Sequence, residues 1–420
     1  MNAKREMSRT LVVSDLHLGD RGSLEDFYQD EAFAAFTAFY GKAGNAQLIL
    51  NGDFIDYLQV QPLGALTVPA AVEKTRVVLE RHGVVLKALA DFTSAGNRLT
   101  VVEGNHDIEL LFPKVRDAIR GALKEAGGDL EWFELTRSVV AEYPYFHIEH
   151  GHQADRLNRF DYGALLSNER TEALNLPWGS RFVHRVFNSI EPDYPFIDKI
   201  RPESAAALIL YLVDRPLFRT LFVPFMGLKV EDWMGQLRLA RSVAPDAYGK
   251  GSDCDGVWNA FAAQWSELWD FLERLERYGS QPSSGGAKGI SDEAVSEIIL
   301  SLNEAAKRPI NSRTAYDAVA ARKLAEQTGV QLIVYGHTHH AGRIDFGKGQ
   351  SYINSGTWTA LLNLPAKRET QAWLRKLGAS ENYPTINMPS FVEIRRDGPY
   401  QEAQLQYWDP RSNTVVAGGY

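Results

Sequence analysis

Cysteine is nearly absent from this chain: one residue, Cys254, in 420. A lone thiol excludes an internal disulfide and a thiolate zinc cage. Positive charge is also short, with 45 Lys and Arg against 53 Asp and Glu, a net charge of −8 and a pI near 5.8. No overall positive field exists to hold nucleic acid or an acidic membrane, so nucleic acid is not an expected partner. Uninterrupted apolar runs are missing too. The most apolar stretch, 205–228, is broken by Asp214, Arg215, Pro216 and Arg219 and does not span a bilayer. The basic start MNAKREMSRTLVV has too short an apolar run for a signal peptide. A cytoplasmic location is therefore expected, with peripheral contact at the inner face of the membrane as its variant. No internal repeat stands out, and the only low-complexity segment is GSQPSSGGAKGI at 279–290, which reads as a flexible linker.

What remains is an ordinary globular composition, 45% apolar and 23% charged, long enough for one large domain or two to three average ones. Short Val/Ile/Leu runs recur, and each ends in a polar cluster. LVV leads into Ser14-Asp15-Leu16-His17, AQLIL into NGDFID, and RLTVV into EGNHD. YPYFHIE leads into HGH, VQLIVY into GHTHH, and SYI into NSGTW. Such runs predict strands buried on both faces. Helical stretches at 31–40 and 72–92 lie between the first three, so the opening third reads as β-α-β-α-β. On an extended backbone Asp15 and His17, two apart, would point to one spot.

From 155 to 329 the chain reads as mostly helical. Trp258, Phe261, Trp265, Leu268, Leu272 and Leu275 follow a helical period. Further helices are expected at 292–306 and 314–327, the latter capped by Gly329. Strands return at Val330, with a hairpin about Asp397-Gly398. The expected organisation is a catalytic domain in two parts, 1–154 and 330–420, split by a helical cap at 155–329.

The polar clusters hold His17, His106, His147, His150, His152, His337 and His339, with His340 adjoining, and also Asp15, Asp53, Asp56, Asn105 and Asp107. In an open α/β sheet the carboxyl ends of the strands gather at one edge, where ligands bind. Carboxylate, imidazole and amide oxygen without sulfur suit Mn²⁺, Zn²⁺ or iron. These donors outnumber the needs of one four-coordinate ion, whereas two ions sharing a carboxylate would use them.

In order and approximate spacing, DLH, GDFID, GNHD, HGH and GHTH resemble the calcineurin-like metallophosphoesterases, over about 8–152 and 330–360. The resemblance implies a two-sheet α/β/β/α sandwich and a binuclear centre, with Mn²⁺ favoured and Zn²⁺ or iron as alternatives. It implies that Asp15, His17 and His339 hold one ion, that Asp53 bridges, and that Asn105, His150 and His337 complete the second. His106 matches the acid that protonates the leaving oxygen. Asp56 matches the carboxylate orienting it, with Asp107 competing for that role, and His152 stands behind His150. The implied reaction is phosphoester hydrolysis by a water that loses its proton near pH ~7 between the two ions.

Plainer readings stand beside these. Asp, Asn and Gly cluster at turns in any case, which explains NGD or GNHD singly but not the histidines at the other strand ends. Asp56 could cap a helix, and His147, His152 and His340 could be structural or peripheral. SDCDG at 252–256 lacks the remaining ligands of a calcium loop. The aromatic stripe at 258–275 and the apolar 205–228 read first as cap core, and second as a groove for a lipid-bearing substrate.

Where the superfamily's protein phosphatases carry Arg after GDxVD, this chain has Tyr57, which argues against a phosphoprotein substrate. The expected substrate is a small or lipid-like phosphomonoester or phosphodiester. The SDLHLGD start and the cap also resemble the enzymes that cleave the pyrophosphate of UDP-2,3-diacylglucosamine, which is the alternative. A non-catalytic scaffold is the second alternative, disfavoured because every expected ligand and His106 are present.

Overall fold

The computed structural model describes residues 7–142, 145–155, 157–194, 199–201, 312–363, 385–386, 389–395 and 402–416. The sequence features at 205–228, 252–256, 258–275, 279–290 and 292–306, and the turn at Asp397-Gly398, lie outside them.

The opening follows the expected alternation. Strand β1 (Arg9–Val13), helix α1 (Asp30–Gly41), β2 (Ala46–Asn51), helices α2 (Val68–Arg81) and α3 (Gly83–Ser94), β3 (Arg98–Val102), α4 (Pro113–Glu125) and β4 (Phe133–Thr136) come in order. The single helical stretch expected at 72–92 is two helices. His82 leaves helical geometry (φ −102°, ψ 42°), and its ring is held by Asp30 at 2.8 Å. A buried polar side chain finding its partners here overrides the helical period.

β5 (Val139–Glu142) and β6 (Tyr145–Ile148) follow, then a small hairpin of β7 (Leu166–Asn168) and β8 (Ala173–Leu174). Later come β9 (Ile200–Arg201), helix Ser312–Thr328, β10 (Leu332–Tyr335), β11 (Gly342–Gly347) and β12 (Gln350–Asn354). β13 (Leu361–Asn363), β14 (Thr385–Ile386), β15 (Ser390–Arg395), β16 (Glu402–Asp409) and β17 (Thr414–Val416) complete the order. Gly329 ends its helix as expected, with φ +74° and its N–H on Ala325 O at 2.9 Å. β15 runs antiparallel to β16.

Two sheets make the main unit: seven strands in the order β17-β16-β15-β1-β2-β3-β4, and five in the order β11-β12-β10-β6-β5. Alternation along β1 shows how they pack. Leu11 and Val13 join the cluster with the helices, while Val12 faces the other sheet. Val12, Ile49, Val102, Val392 and Ile394 of the first sheet meet Phe146, Ile148, Leu332, Val334 and Ile353 of the second. Helices α1–α4 cover the first sheet's far face. At the second sheet, Gln350 donates to Ala325 O of helix Ser312–Thr328 at 2.9 Å. The fold is the two-sheet α/β arrangement expected from the motifs.

Contacts divide the chain into one unit of Met1–Asn188, Ala320–Ala360 and Asn387–Tyr420, and another of Ser189–Val319 and Leu361–Ile386. Residues 155–188 thus pack with the two-sheet unit. Phe160, Leu174 and Leu176 lie in its helix-side core. In the second unit, β9, β13 and β14 form a small sheet.

Removing apolar volume between the sheets should be felt far more than at the edge. Ile49→Ala is expected to cost about 2–5 kcal/mol. Val140→Ala, at a side chain 60% exposed, should stay within about 0.5 kcal/mol. Urea unfolding of both variants checks this, and similar losses would contradict the packing described.

Candidate metal centre

Strands β1, β2 and β3 run parallel, as do β6, β10 and β12, so their carboxyl ends deliver the polar loops to one edge. Backbone hydrogen bonds lace the loops together. Asp15 N donates to Gly52 O at 3.1 Å, His17 N to Asp53 O at 2.8 Å, and Gly336 N to His150 O at 2.9 Å. Trp358 N and Thr357 Oγ1 both donate to Asp15 O.

Asp15 and His17 do not meet through the pleat of a continuing strand. β1 ends at Val13, and both residues take left-handed backbone, φ 55° and 51°. Asp53, His337 and His339 do the same, at 50°, 66° and 59°. Each such residue without a glycine costs on the order of 1–3 kcal/mol and persists where the surroundings fix it. Close approach dictates glycine beside them. A β-carbon on Gly104 would overlap Asp53 Oδ1, and one on Gly336 would lie 2.6 Å from Asp15 Oδ2.

The side chains converge in two groups whose ligand-type atoms all lie within 4.8 Å of one another: Asp15, His17 and His339, and Asp53, His150 and His337. Asp53 Oδ2 stands between them, 3.7 Å from His17 Nε2 and 3.1 Å from His150 Nε2. Asn105 joins the second group, its Oδ1 3.2 Å from His150 Nε2. All seven residues expected as ligands are therefore together. A third group of the same reach contains His17, Asp53 and His106.

Hydrogen bonds on the far side of the rings fix which nitrogen faces inward. His150 Nδ1 donates to the carbonyl of Asn51 at 2.8 Å, and a carbonyl can only accept. His17 Nδ1 donates to Asp56 Oδ2 at 2.8 Å. Both Nε2 atoms therefore look onto carboxylate oxygens, and His17 Nε2 also faces His339 Nε2 at 3.2 Å. Asp15 Oδ1, fully buried, takes no hydrogen bond, although the Nε2 atoms of His339, His17 and His150 lie 3.2, 4.0 and 4.0 Å away. Lone pairs directed at a common point, braced from behind, are what metal-ligating imidazoles and carboxylates present. With oxygen and nitrogen donors only, the set fits Mn²⁺, Zn²⁺ or iron.

Without an ion, protons fill this role. Burial alone would push His17 and His150 down. The Asp56 hydrogen bond and the charges of Asp53, Asp56 and Asp15 outweigh it at His17, raising it to about 10. At His150 the charges of Asp53 and Asp15, helped by bonds to Asp53 and Asn51, do the same and reach about 10. Burial would raise Asp15 and Asp53, yet the surrounding imidazoles hold both below the ordinary carboxylate value.

Asp56 does more than either reading anticipated. Its Oδ2 accepts from His17 Nδ1 and His106 Nδ1, both at 2.8 Å, while Oδ1 takes the amides of Leu58 and Gln59. Asp107, its rival, spends its oxygens on the amides of Phe54, Ile55 and Gly104. His152 is buried with its ring 5.6 Å from that of His150, and burial with the neighbouring imidazoles keeps it neutral. His147 pairs with Glu149 at 3.1 Å. Neither these two nor His340 enters a metal-type group among the described residues. Asp155, which the sequence reading passed over, sits against His337, its Oδ2 3.1 Å from Nε2.

Residues 8–206 match the family model of the calcineurin-like phosphoesterases. Among solved structures the chain is similar to a dimetal phosphatase from Danio rerio, at 11% identity over 93% of each chain, with a TM-score of 0.32. No curated protein matches the sequence.

Ion binding should release protons. At pH 8 the metal-free centre holds protons on His17 and His150, because both lie near 10, and an ion displaces them. Calorimetric titration of chelated protein with Mn²⁺ should give heats that depend on the buffer's ionisation enthalpy, an effect fading as pH approaches 10. In the metal-free protein the same raised values contribute stability that is complete below 6.5 and lost as pH rises to about 10. Heats independent of buffer would contradict this account.

Proposed function

We propose that the chain, whose residues 8–206 match the family model of the calcineurin-like phosphoesterases, hydrolyses a small or lipid-like phosphomonoester or phosphodiester at a binuclear centre. The observation carrying this reading is Asp53 Oδ2 between two donor groups, each bringing ligand-type nitrogen and oxygen atoms to a shared space. Asp15, His17 and His339 would hold one ion, Asn105, His150 and His337 the other, and Asp53 both, with Mn²⁺ the favoured metal. Such a pair of cations supplies an activated water near neutral pH and neutralises phosphoryl oxygens.

The chain's own part centres on His106. Its Nδ1 is committed to Asp56 Oδ2, which leaves Nε2 to present a proton. Burial would lower its pKa, but the charges of Asp56 and Asp53 more than offset this and raise it above the ordinary histidine value, which favours the protonated ring. At 14% side-chain exposure it is more open than His17 at 6% or His150 at 0%. Its backbone N–H donates to Asp53 Oδ1 at 2.9 Å, fixing the acid relative to the bridging carboxylate. A proton given to the departing oxygen can be recovered from solvent.

Tyr57 offers no phosphate contact: it is 1% exposed and its hydroxyl is bonded to Thr75 at 2.7 Å. This supports a substrate other than a phosphoprotein. Pyrophosphate cleavage in a nucleotide-linked lipid is the second reading, resting on the SDLHLGD start; on it, contact with a membrane surface would be peripheral.

His106→Ala should keep two Mn²⁺ ions per chain and lose about 10²–10⁴-fold in kcat on alkyl phosphoesters, with much smaller losses on p-nitrophenyl esters, whose leaving group needs no proton. Steady-state assays on chromogenic and alkyl monoesters and diesters, and on a sugar-nucleotide pyrophosphate, check this and rank the substrate classes. Loss of one ion would make His106 a ligand instead. Two bound ions with no turnover of any substrate would favour a scaffold.

A further inference from the structure

Behind His337 lies a hydrogen-bonded turn that the proposed chemistry leaves unexplained. Asp155 Oδ2 is 3.1 Å from His337 Nε2 and also accepts from Asn158 Nδ2 at 2.7 Å. Its Oδ1 accepts the amide of Leu157 at 2.9 Å, and its own N–H donates to His152 O at 3.1 Å. Asn158 is in turn wedged against the next segment, where a β-carbon on Gly179 would collide with its Oδ1. The adjoining Ser180, fully buried, lies with Oγ 3.4 Å from Asn105 O. One turn therefore meets the candidate centre at His337 while its neighbour meets it at Asn105.

We propose that Asp155 is a positioning residue for the centre: it takes the Nε2 proton of His337 in a hydrogen bond and so leaves Nδ1 as that residue's ligand atom. This rests on the binuclear reading above. An imidazole has two nitrogens, and the partner of one decides which lone pair is free for the other. His150 is set by a backbone carbonyl and His17 by Asp56, both through Nδ1. His337 is held through the opposite nitrogen. The ring is fixed further by its own backbone, whose N–H donates to Asp15 Oδ2 at 3.1 Å. Without the carboxylate the ring can turn over or change tautomer, and the second ion loses a ligand while the first keeps its own.

The test is Mn²⁺ binding to chelated full-length protein by calorimetry, with thermal unfolding of the metal-free form beside it. In Asp155→Asn the side-chain oxygen can still accept from Leu157, while the amide presents a donor to His337 and reverses its tautomer. The amide also loses the bond from Asn158, so the metal-free unfolding temperature is expected to match that of Asn158→Ala, while one of two ions is weakened by about 10–100-fold and the other is unchanged. Asn158→Ala removes a contact of the turn but leaves the carboxylate on His337, and should bind both ions as the unaltered protein does. Equal binding of both ions in Asp155→Asn would overturn the proposal, as would equal weakening of both. So would a loss in Asn158→Ala as large as that in Asp155→Asn, because turn order would then be the cause. The unaltered protein and His337→Ala separate the two levels: fewer than two ions in the unaltered protein would end the binuclear reading, whereas two ions there, one of them weakened in His337→Ala and neither in Asp155→Asn, would end the role of Asp155 alone.

Discussion

Like poles held together without water constrain this structure more than any other feature. Two buried carboxylates and the inward nitrogens of several imidazoles converge on one small space, and one acceptor there, Asp15 Oδ1, takes no hydrogen bond. Such an arrangement is repulsive unless something positive sits in it. Protons serve in the metal-free protein, as the raised His17 and His150 show. Divalent cations serve better, since each can meet several lone pairs at once. The fold must hold the donors in place in either state.

It does so through the backbone rather than through local preference. Five of the residues at the centre occupy left-handed conformations that their own side chains disfavour. No isolated turn would keep them there. Cross-bonds between the loops after β1, β2, β6, β10 and β12 do, anchored in turn on strands buried between two layers. Strain at the edge is balanced by apolar packing in the interior, a common division of labour at functional sites.

Much of this was legible in the chain itself. Val/Ile/Leu runs ending in Asp, Asn and His mark strand ends, and topology alone gathers Asp15, Asp53, Asn105, His150 and His337 from distant positions. Less legible was anything set by three-dimensional partners. The pleat could not place Asp15 beside His17 because the strand stops first; loop geometry does it. The period could not show helix α2 ending at His82, because Asp30 and Glu25 lie far away in sequence. Asp155 escaped notice because no spacing links it to His337, 182 residues on. Asp56 against Asp107 could not be decided from GDFID and GNHD, since both are carboxylates in turns. Only their hydrogen bonds separate them.

Asp56 Oδ2 is a single oxygen shared by two rings of different duty. On the proposed reading, a cation drawing electron density from His17 would make that ring's N–H a stronger donor with a larger claim on the oxygen. Less would remain for His106, whose grip on its own proton would then slacken. Thermodynamic reciprocity requires the converse as well: a proton lost from His106 tightens the cation on His17. Cation occupancy and readiness to give up the proton would thus be linked through one atom, the ring being most acidic with the centre loaded.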